Sequence, residues 1–214
     1  MTKLTDLHMK EFLALLASDA PVPGGGGAAA IAASIASALT SMLANLTVGK
    51  KKFIDHEEEV KELLQQAENS RSRMLELAEA DAEVFSAFMS CYRMPKDSEE
   101  EKALRAAAIC QAAKQAAEIP LEIAEESLRI MRLTARLVQI GNPNVITDGA
   151  VSALLARAAL RSSVYNILVN LKLTGDADYN DRLTQKAAQL EEEALQLERQ
   201  TLLATDRVIG VSNK

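Results

Sequence analysis

The chain has 214 residues, with 24 Lys and Arg against 30 Asp and Glu and a net charge of −6. That length suits one domain spanning residues 1–214, and an acidic balance with no basic cluster beyond Lys50-Lys51-Lys52 excludes the electrostatic footprint of a nucleic-acid binder. Hydrophobic residues make up 48% but aromatics only 3%, with no Trp, so the core must be built from Ala, Leu, Ile and Met, which suit closely packed helices better than sheets.

In chain order, residues 3–18 predict a short amphipathic helix with Leu4, Leu7, Phe12, Leu15 and Leu16 inward. Asp6 and Glu11 interrupt any continuous apolar stretch there, so the segment does not read as a signal peptide. Asp19 to Gly27 is a loop, in which Pro21 and Pro23 stop the helix. A second helix is expected from about Gly27 to Val48, with Gly49 as its C′ residue. Ala28 to Val48 is uncharged but rich in Ala, Ser, Thr and Asn, which is weakly hydrophobic on an insertion scale. It reads as a buried helix of a soluble protein, with no membrane association.

Asp55 to Tyr92 carries a long helical pattern closed by Pro95. Ser98 and Glu101 form a capping box that opens the next helix, which Pro120 is expected to break or kink before the pattern resumes to Ile140. "GNPN" (Gly141–Asn144) is a turn, helix returns from about Thr147 to Leu173, "TGDAD" interrupts it, and a last helix spans roughly 178–206. No segment alternates as a strand does. The expected fold is an all-α, antiparallel bundle of long helices. Cys91 and Cys110 make neither a CxxC pair nor a disulfide framework, which fits a reducing, cytoplasmic setting.

Several groups could carry chemistry. Gly24, Gly26 and Ala29 formally match G-x-G-x-x-[GA], but "DAPVP" cannot be the strand which that dinucleotide fingerprint requires. What remains is a glycine loop opening a helix, whose unpaired N–H groups suit an anion or a carbonyl; small residues packing two helices closely explain it equally. The second helix presents an apolar stripe (Ile31, Ile35, Leu39, Met42, Leu46) and a polar one (Ser34, Ser37, Ser41, Asn45), the latter bonding neighbouring backbones or lining a cleft. Lys50 to Lys52 complement the helix dipole or dock a substrate carboxylate. Asp148, Ser152, Ala159, Ser163, Asn166 and Asn170 fall on one line of a later helix, where Asp148 serves as a cap or as a ligand.

Asp81 is the most informative acid. Its helical neighbours Leu77, Ala78, Val84 and Phe85 are all apolar, whereas Glu79 and Glu83 belong to the solvated face. A carboxylate on an apolar face is either paired with a neighbouring helix or an Arg, or used for proton transfer with its pKa raised by desolvation. Metal chemistry is unsupported: His8 and His56 lack an ExxH context, which excludes a di-iron bundle, and no GxSxG is present.

"PVPGGGGAAAIAASIASALTSMLANLTVGKKKF", "AEADAEVFSAFM", "AAEIPLEIAE" and "GNPNVITDGAVSALLARAALRSSVYNILVNL" together resemble the cyclodeaminase domain of formiminotransferase-cyclodeaminase. That family also includes stand-alone bacterial methenyltetrahydrofolate cyclohydrolases, and the likeness covers essentially the whole chain. It implies an all-α homodimer that binds a folate substrate in a cleft lined by the glycine loop, with no cofactor. The family's proposed proton-transfer residue, the Asp of its "D-A-x-x-F" segment, matches Asp81. The candidate substrate-binding residues are then Pro23, Gly24, Gly25, Gly26 and Gly27 in the loop, Asn45 and Lys50 at the far end of the second helix, and Asn142, Asp148, Asn166 and Asn170. Where the family commonly has Ser after three glycines, Gly27 stands here. The implied activity is hydrolysis of 5,10-methenyltetrahydrofolate or cyclisation of 5-formiminotetrahydrofolate with loss of ammonia; the competing class is a non-catalytic helical module that binds folate or a partner.

Overall fold

The computed structural model describes residues 3–211. Its helices are α1 (Met9–Leu16), α2 (Gly25–Asn45), α3 (Glu57–Cys91), α4 (Glu99–Ile140), α5 (Ile146–Leu171) and α6 (Ala177–Ile209), with short 3-10 turns at Leu4–Asp6, Lys51–His56 and Pro143–Val145. No strand occurs among the described residues, so the all-α expectation holds.

Helix α2 sits at the centre, in contact with α3, α4 and α5. Its side chains explain why it can. Ala30, Ala33, Ala36 and Ala44 are fully buried, and small side chains let backbones approach until hydroxyls reach across. Ser34 donates to the Arg71 carbonyl at 3.2 Å and Ser37 to that of Ala67 at 2.7 Å. Deeper in, Thr40, Thr134 and Ser152 bring three buried hydroxyls together from α2, α4 and α5, with O···O separations of 2.7, 2.9 and 3.2 Å. Gly149 serves the same closeness, because a Cβ there would stand 2.5 Å from Val138 Cγ2. Ser34, Ser37 and Ser41 of the polar stripe thus lie on the buried face of α2, while Asn45 and, from the apolar stripe, Ile35, Met42 and Leu46 lie exposed. On the other side, α6 buries Leu183, Ala187, Leu190 and Ala194 against α4 and α5.

By length and hydropathy alone α2 would also suit a membrane crossing, yet 61% of its most apolar window is buried inside the bundle. That is the condition of a core helix.

The capping box forms as expected: Ser98 Oγ accepts from the Glu101 N–H at 3.1 Å and Glu101 Oε2 from the Ser98 N–H at 3.0 Å. Three other expectations fail. The helix expected over residues 3–18 is split at Leu7 and His8 into a 3-10 turn and α1. Helix α2 begins at Gly25, two residues earlier than its sequence suggests, with Gly24 as N-cap. And Pro120 does not end a helix: α4 runs through it for 42 residues. A proline at 120 removes the N–H that would donate to the Ala116 carbonyl four residues back. Asn170 of α5 supplies the missing donor, its Nδ2 lying 2.8 Å from Ala116 O.

This compensation is measurable. Asn170→Ala should lower the unfolding free energy in urea by about 1–3 kcal/mol, the cost of a buried carbonyl left unpaired. In a Pro120→Ala background the N–H returns, and the loss should shrink towards zero; an equal loss in both backgrounds would show that the two residues are uncoupled.

Candidate active site

Along α3 the buried positions Val60, Leu63, Ala67, Ser70, Met74, Leu77 and Ala78 form a seam at helical spacing. The next position on that line is Asp81, at the level where α2 begins. Pro23 is buried just ahead of it, after a cis Val22–Pro23 bond. The glycines turn the chain so that the open end of α2 faces the carboxylate, and the Gly27 N–H donates to Asp81 Oδ2 at 2.9 Å.

The four glycines differ in what they allow. A Cβ on Gly26 would lie 2.1 Å from Asp81 Oδ1 and 2.5 Å from its Cγ, so only glycine fits there. At Gly27 the nearest atoms to an added Cβ are Pro23 Cβ at 3.6 Å and Ala78 O at 3.8 Å, with Asp81 Oδ2 at 3.9 Å. That is ordinary contact distance, so a serine fits at 27 beside the carboxylate. At Gly25 an added Cβ would meet the Asn166 carboxamide, Nδ2 at 3.8 Å and Oδ1 at 3.9 Å.

Asp81 is half-buried. Burial pushes its carboxyl above the usual carboxylate range, and the Gly27 N–H pulls part of the way back by favouring the charged form. Neither Arg nor Lys contributes, so the structural alternative of an ion-paired Asp is not what the fold builds. Helix geometry leaves the N–H groups of Gly25 and Gly26 with no intrahelical acceptor, so the carboxylate stands beside free donors at a positive helix end.

Asn166 flanks the same helix end from α5, its Nδ2 held by the Ser162 carbonyl at 2.9 Å. A cleft of about 420 Å³ opens there, lined by Gly25, Ala28, Ala32, Ala158, Tyr165 and Asn166. Asn170 lies one turn further on, with its amide committed to Ala116 O and Asn166 O. The loop, Asp81, Asn166 and Asn170 therefore share one end of the bundle.

Asn45, Lys50, Asn142 and Asp148 do not. Helix α2 is 21 residues long, about 30 Å, and these four stand at its other end. Asn45 lines a cleft of about 430 Å³ with Ser41, Met42, Glu68 and Arg71. Lys50 is exposed and faces a hollow with Phe53 and Asn142. Asn142 ties the turn before α5 to α2, its N–H donating to Thr47 Oγ1 at 2.9 Å and its Nδ2 to Leu46 O at 3.0 Å. Asp148 is in the first turn of α5 without being its cap, since Val145 takes that place and makes no side-chain cap bond.

Glu79 also departs from the sequence expectation. Half-buried rather than solvated, its Oε1 accepts from the Thr5 N–H at 2.7 Å and from Thr5 Oγ1 at 2.8 Å. No sequence signal links residues 74 positions apart. A usable signal was missed in "VFSAFMSCY": of four Phe and three Tyr in the chain, Phe85, Phe88 and Tyr92 lie on one line running away from Asp81. No group of three His, Cys, Asp or Glu able to hold a metal occurs among the described residues.

A methenyltetrahydrofolate cyclohydrolase of Methylorubrum extorquens is 43% identical over 164 residues, covering 77% of this chain and 79% of that protein. The formimidoyltransferase-cyclodeaminase of Rattus norvegicus is 27% identical over 191 residues, 89% of this chain; the chain spans only 35% of that longer protein. Among solved structures, the formiminotetrahydrofolate cyclodeaminase of Thermotoga maritima matches with a TM-score of 0.87 and 27% identity, covering 96% of this chain and 99% of that one. The formiminotransferase-cyclodeaminase family model matches residues 8–189, and the chain belongs to that family.

Proposed function

We propose that this protein is a folate one-carbon enzyme that hydrolyses 5,10-methenyltetrahydrofolate to 10-formyltetrahydrofolate, with Asp81 as its proton-transfer group. The observation that carries this is a half-buried carboxylate with no cationic partner, held against the open N-terminus of a glycine-started helix. The greater identity to the Methylorubrum extorquens cyclohydrolase than to the rat enzyme, 43% against 27%, supports hydrolysis. Cyclisation of 5-formiminotetrahydrofolate is the second reading, supported by the likeness to the Thermotoga maritima cyclodeaminase over 99% of that chain.

In hydrolysis, water adds to the cationic methenyl carbon while ionised Asp81 takes one of its protons. The resulting tetrahedral adduct breaks its bond to N5, Asp81 returns the proton to N5, and the hydroxyl proton leaves as the formyl carbonyl forms on N10. In cyclodeamination, N10 attacks the carbon of the protonated formimino group, and the same carboxylate moves the N10 proton to the nitrogen that departs as ammonia, leaving the methenyl cation. A negative Asp81 also steadies the amidinium-like cation common to both. The N–H groups of Gly25 and Gly26 suit the oxygen or nitrogen that develops on the carbon. Proton transfer and electrostatics suffice, so the chemistry requires no cofactor.

A homodimer belongs to the same proposal. Ile35 and Met42 of α2, Leu46 just after it, and Val151 and Leu154 of α5 are 37–46% exposed along adjacent antiparallel helices. A second copy covering them accounts for this apolar face. Only across such an interface could Asn45, Lys50 and Asn142 meet Asp81. Two free cysteines, Cys91 and Cys110, support a cytoplasmic setting.

Asp81→Asn should keep helicity and folate binding while cutting turnover by at least about 10²-fold, followed as loss of methenyl absorbance; near-normal turnover would overturn the assignment. The base must be ionised, so kcat/KM should fall as pH drops through the Asp81 pKa, an acid limb above the ordinary carboxylate range. Gly27→Ser adds a donor beside Oδ2, favours the charged form, and should move that limb to lower pH. The stability sign is opposite. A raised folded pKa means the native state binds more protons, so the stability contributed by Asp81 declines as pH rises from its unfolded value, about 3.9, to the folded one. Met42→Glu should shift the sedimentation mass from dimer to monomer; a wild-type monomer at micromolar concentration would remove the homodimer from the proposal.

A further inference from the structure

Below Asp81, the seam of α3 packs on α2. Above it the same line of α3 continues with nothing from α2 to cover it, because α2 starts only at Gly25. Helix α3 runs ten residues past Asp81 to Cys91, about 15 Å, with the start of α4 alongside. Positions 85, 88 and 92 lie within about 40° of Asp81 around the helix. Phe88 is buried on Ala112 and Ala113, whereas Phe85 is 38% and Tyr92 40% exposed. The rings of Phe88 and Tyr92 meet edge-on, with centroids 5.3 Å apart.

At the far end of this line stands Arg105 of α4. Its guanidinium lies over the Tyr92 ring, 5.4 Å from the centroid, and Nη2 donates to the Tyr92 carbonyl at 3.3 Å. Its Nε is buried with no hydrogen-bond partner. A packing seam that turns aromatic where its helix partner is missing, and that ends on a half-buried cation, fits a ligand with the same order of parts. Such a ligand has a reacting centre, then a flat aryl ring, then carboxylates.

We propose that Phe85, Tyr92 and Arg105 form the subsite for the aryl-glutamate arm of the folate, with the ring packed on Phe85 and a glutamate carboxylate docked on Arg105. This rests on the folate reading above. The ring packs on an aromatic edge or face, and the carboxylate gains charge-assisted hydrogen bonds from a partly desolvated guanidinium.

The test compares 5,10-methenyltetrahydropteroate, which carries no glutamate, with the triglutamate form of 5,10-methenyltetrahydrofolate. Arg105→Met should raise KM about tenfold or more for the triglutamate, with kcat within about twofold and KM for the pteroate unchanged. Phe85→Leu and Phe85→Ala should raise KM for both substrates by about three- to tenfold. Equilibrium binding of tetrahydrofolate triglutamate should show the same losses without catalysis. Unchanged KM in these variants, or an equal effect of Arg105→Met on both substrates, would overturn the subsite while leaving the activity intact. If wild-type protein consumes neither methenyl nor formimino substrate, the folate reading itself fails. A variant that alters sedimentation mass and not KM would show instead that a second copy covers this face.

Discussion

The contact between Asp81 and the first turn of α2 fixes the end of the molecule that holds the candidate site. It requires three things at once: a glycine at 26, because any Cβ there would run into the carboxylate; an N–H at 27 aimed at Oδ2; and a helix α2 short enough to begin level with residue 81. The register between α2 and α3 is therefore tied to the site. A slip of one helical turn would put a side chain where Gly26 now stands. The closeness that leaves no room for a Cβ at 26 is also what brings a backbone donor to a half-buried acid.

The rest of the bundle supports that register with little energy from any single group. Alanines and serines on the buried face of α2 let it sit among three helices, and hydroxyls from Ser34, Ser37, Thr40, Thr134 and Ser152 satisfy one another and nearby carbonyls. Small residues also carry a cost. Leu43 is buried, but Ile35 and Met42 of α2 and Leu46 just after it end up outward, so the helix that organises the core also presents an uncovered apolar face. The exposed apolar face and the close packing are in this sense consequences of one composition.

How much of this was legible in the sequence depends on how local each cause is. Helix type, the Ser98–Glu101 box and the apolar surroundings of Asp81 all follow from spacings of three and four residues, and all appear in the fold. Pro120 misled because its remedy, Asn170, lies 54 residues away on another helix. Glu79 misled in the same manner, because Thr5 is unseen from α3. The polar stripe of α2 left two outcomes open, and the structure takes both: Ser34 and Ser37 bond the backbone of α3, while Ser41 and Asn45 line a cleft. Lys50, Asn45 and Asn142 show a further limit. Motifs adjacent in sequence or shared by a family need not share one site within one copy, and a 21-residue helix holds them apart.

A bundle of this kind faces a general difficulty in hosting a charged reaction. Its interior is apolar, and a carboxylate placed there would be neutral or would demand a cation that would quench it. The fold avoids both by letting the α3 seam outrun its partner. At residue 81 the seam is apolar enough on one side to raise the carboxyl pKa and remains partly open on the other. The half-covered positions beyond it, Phe85 and Tyr92, are then an unfinished stretch of core. A flat, partly apolar ligand lying there would complete the packing that α2 begins too late to supply, and burying it would dry the carboxylate further as the reacting carbon arrives. Binding and activation of the base would in that case be one event, driven by apolar area that the protein leaves exposed for the purpose.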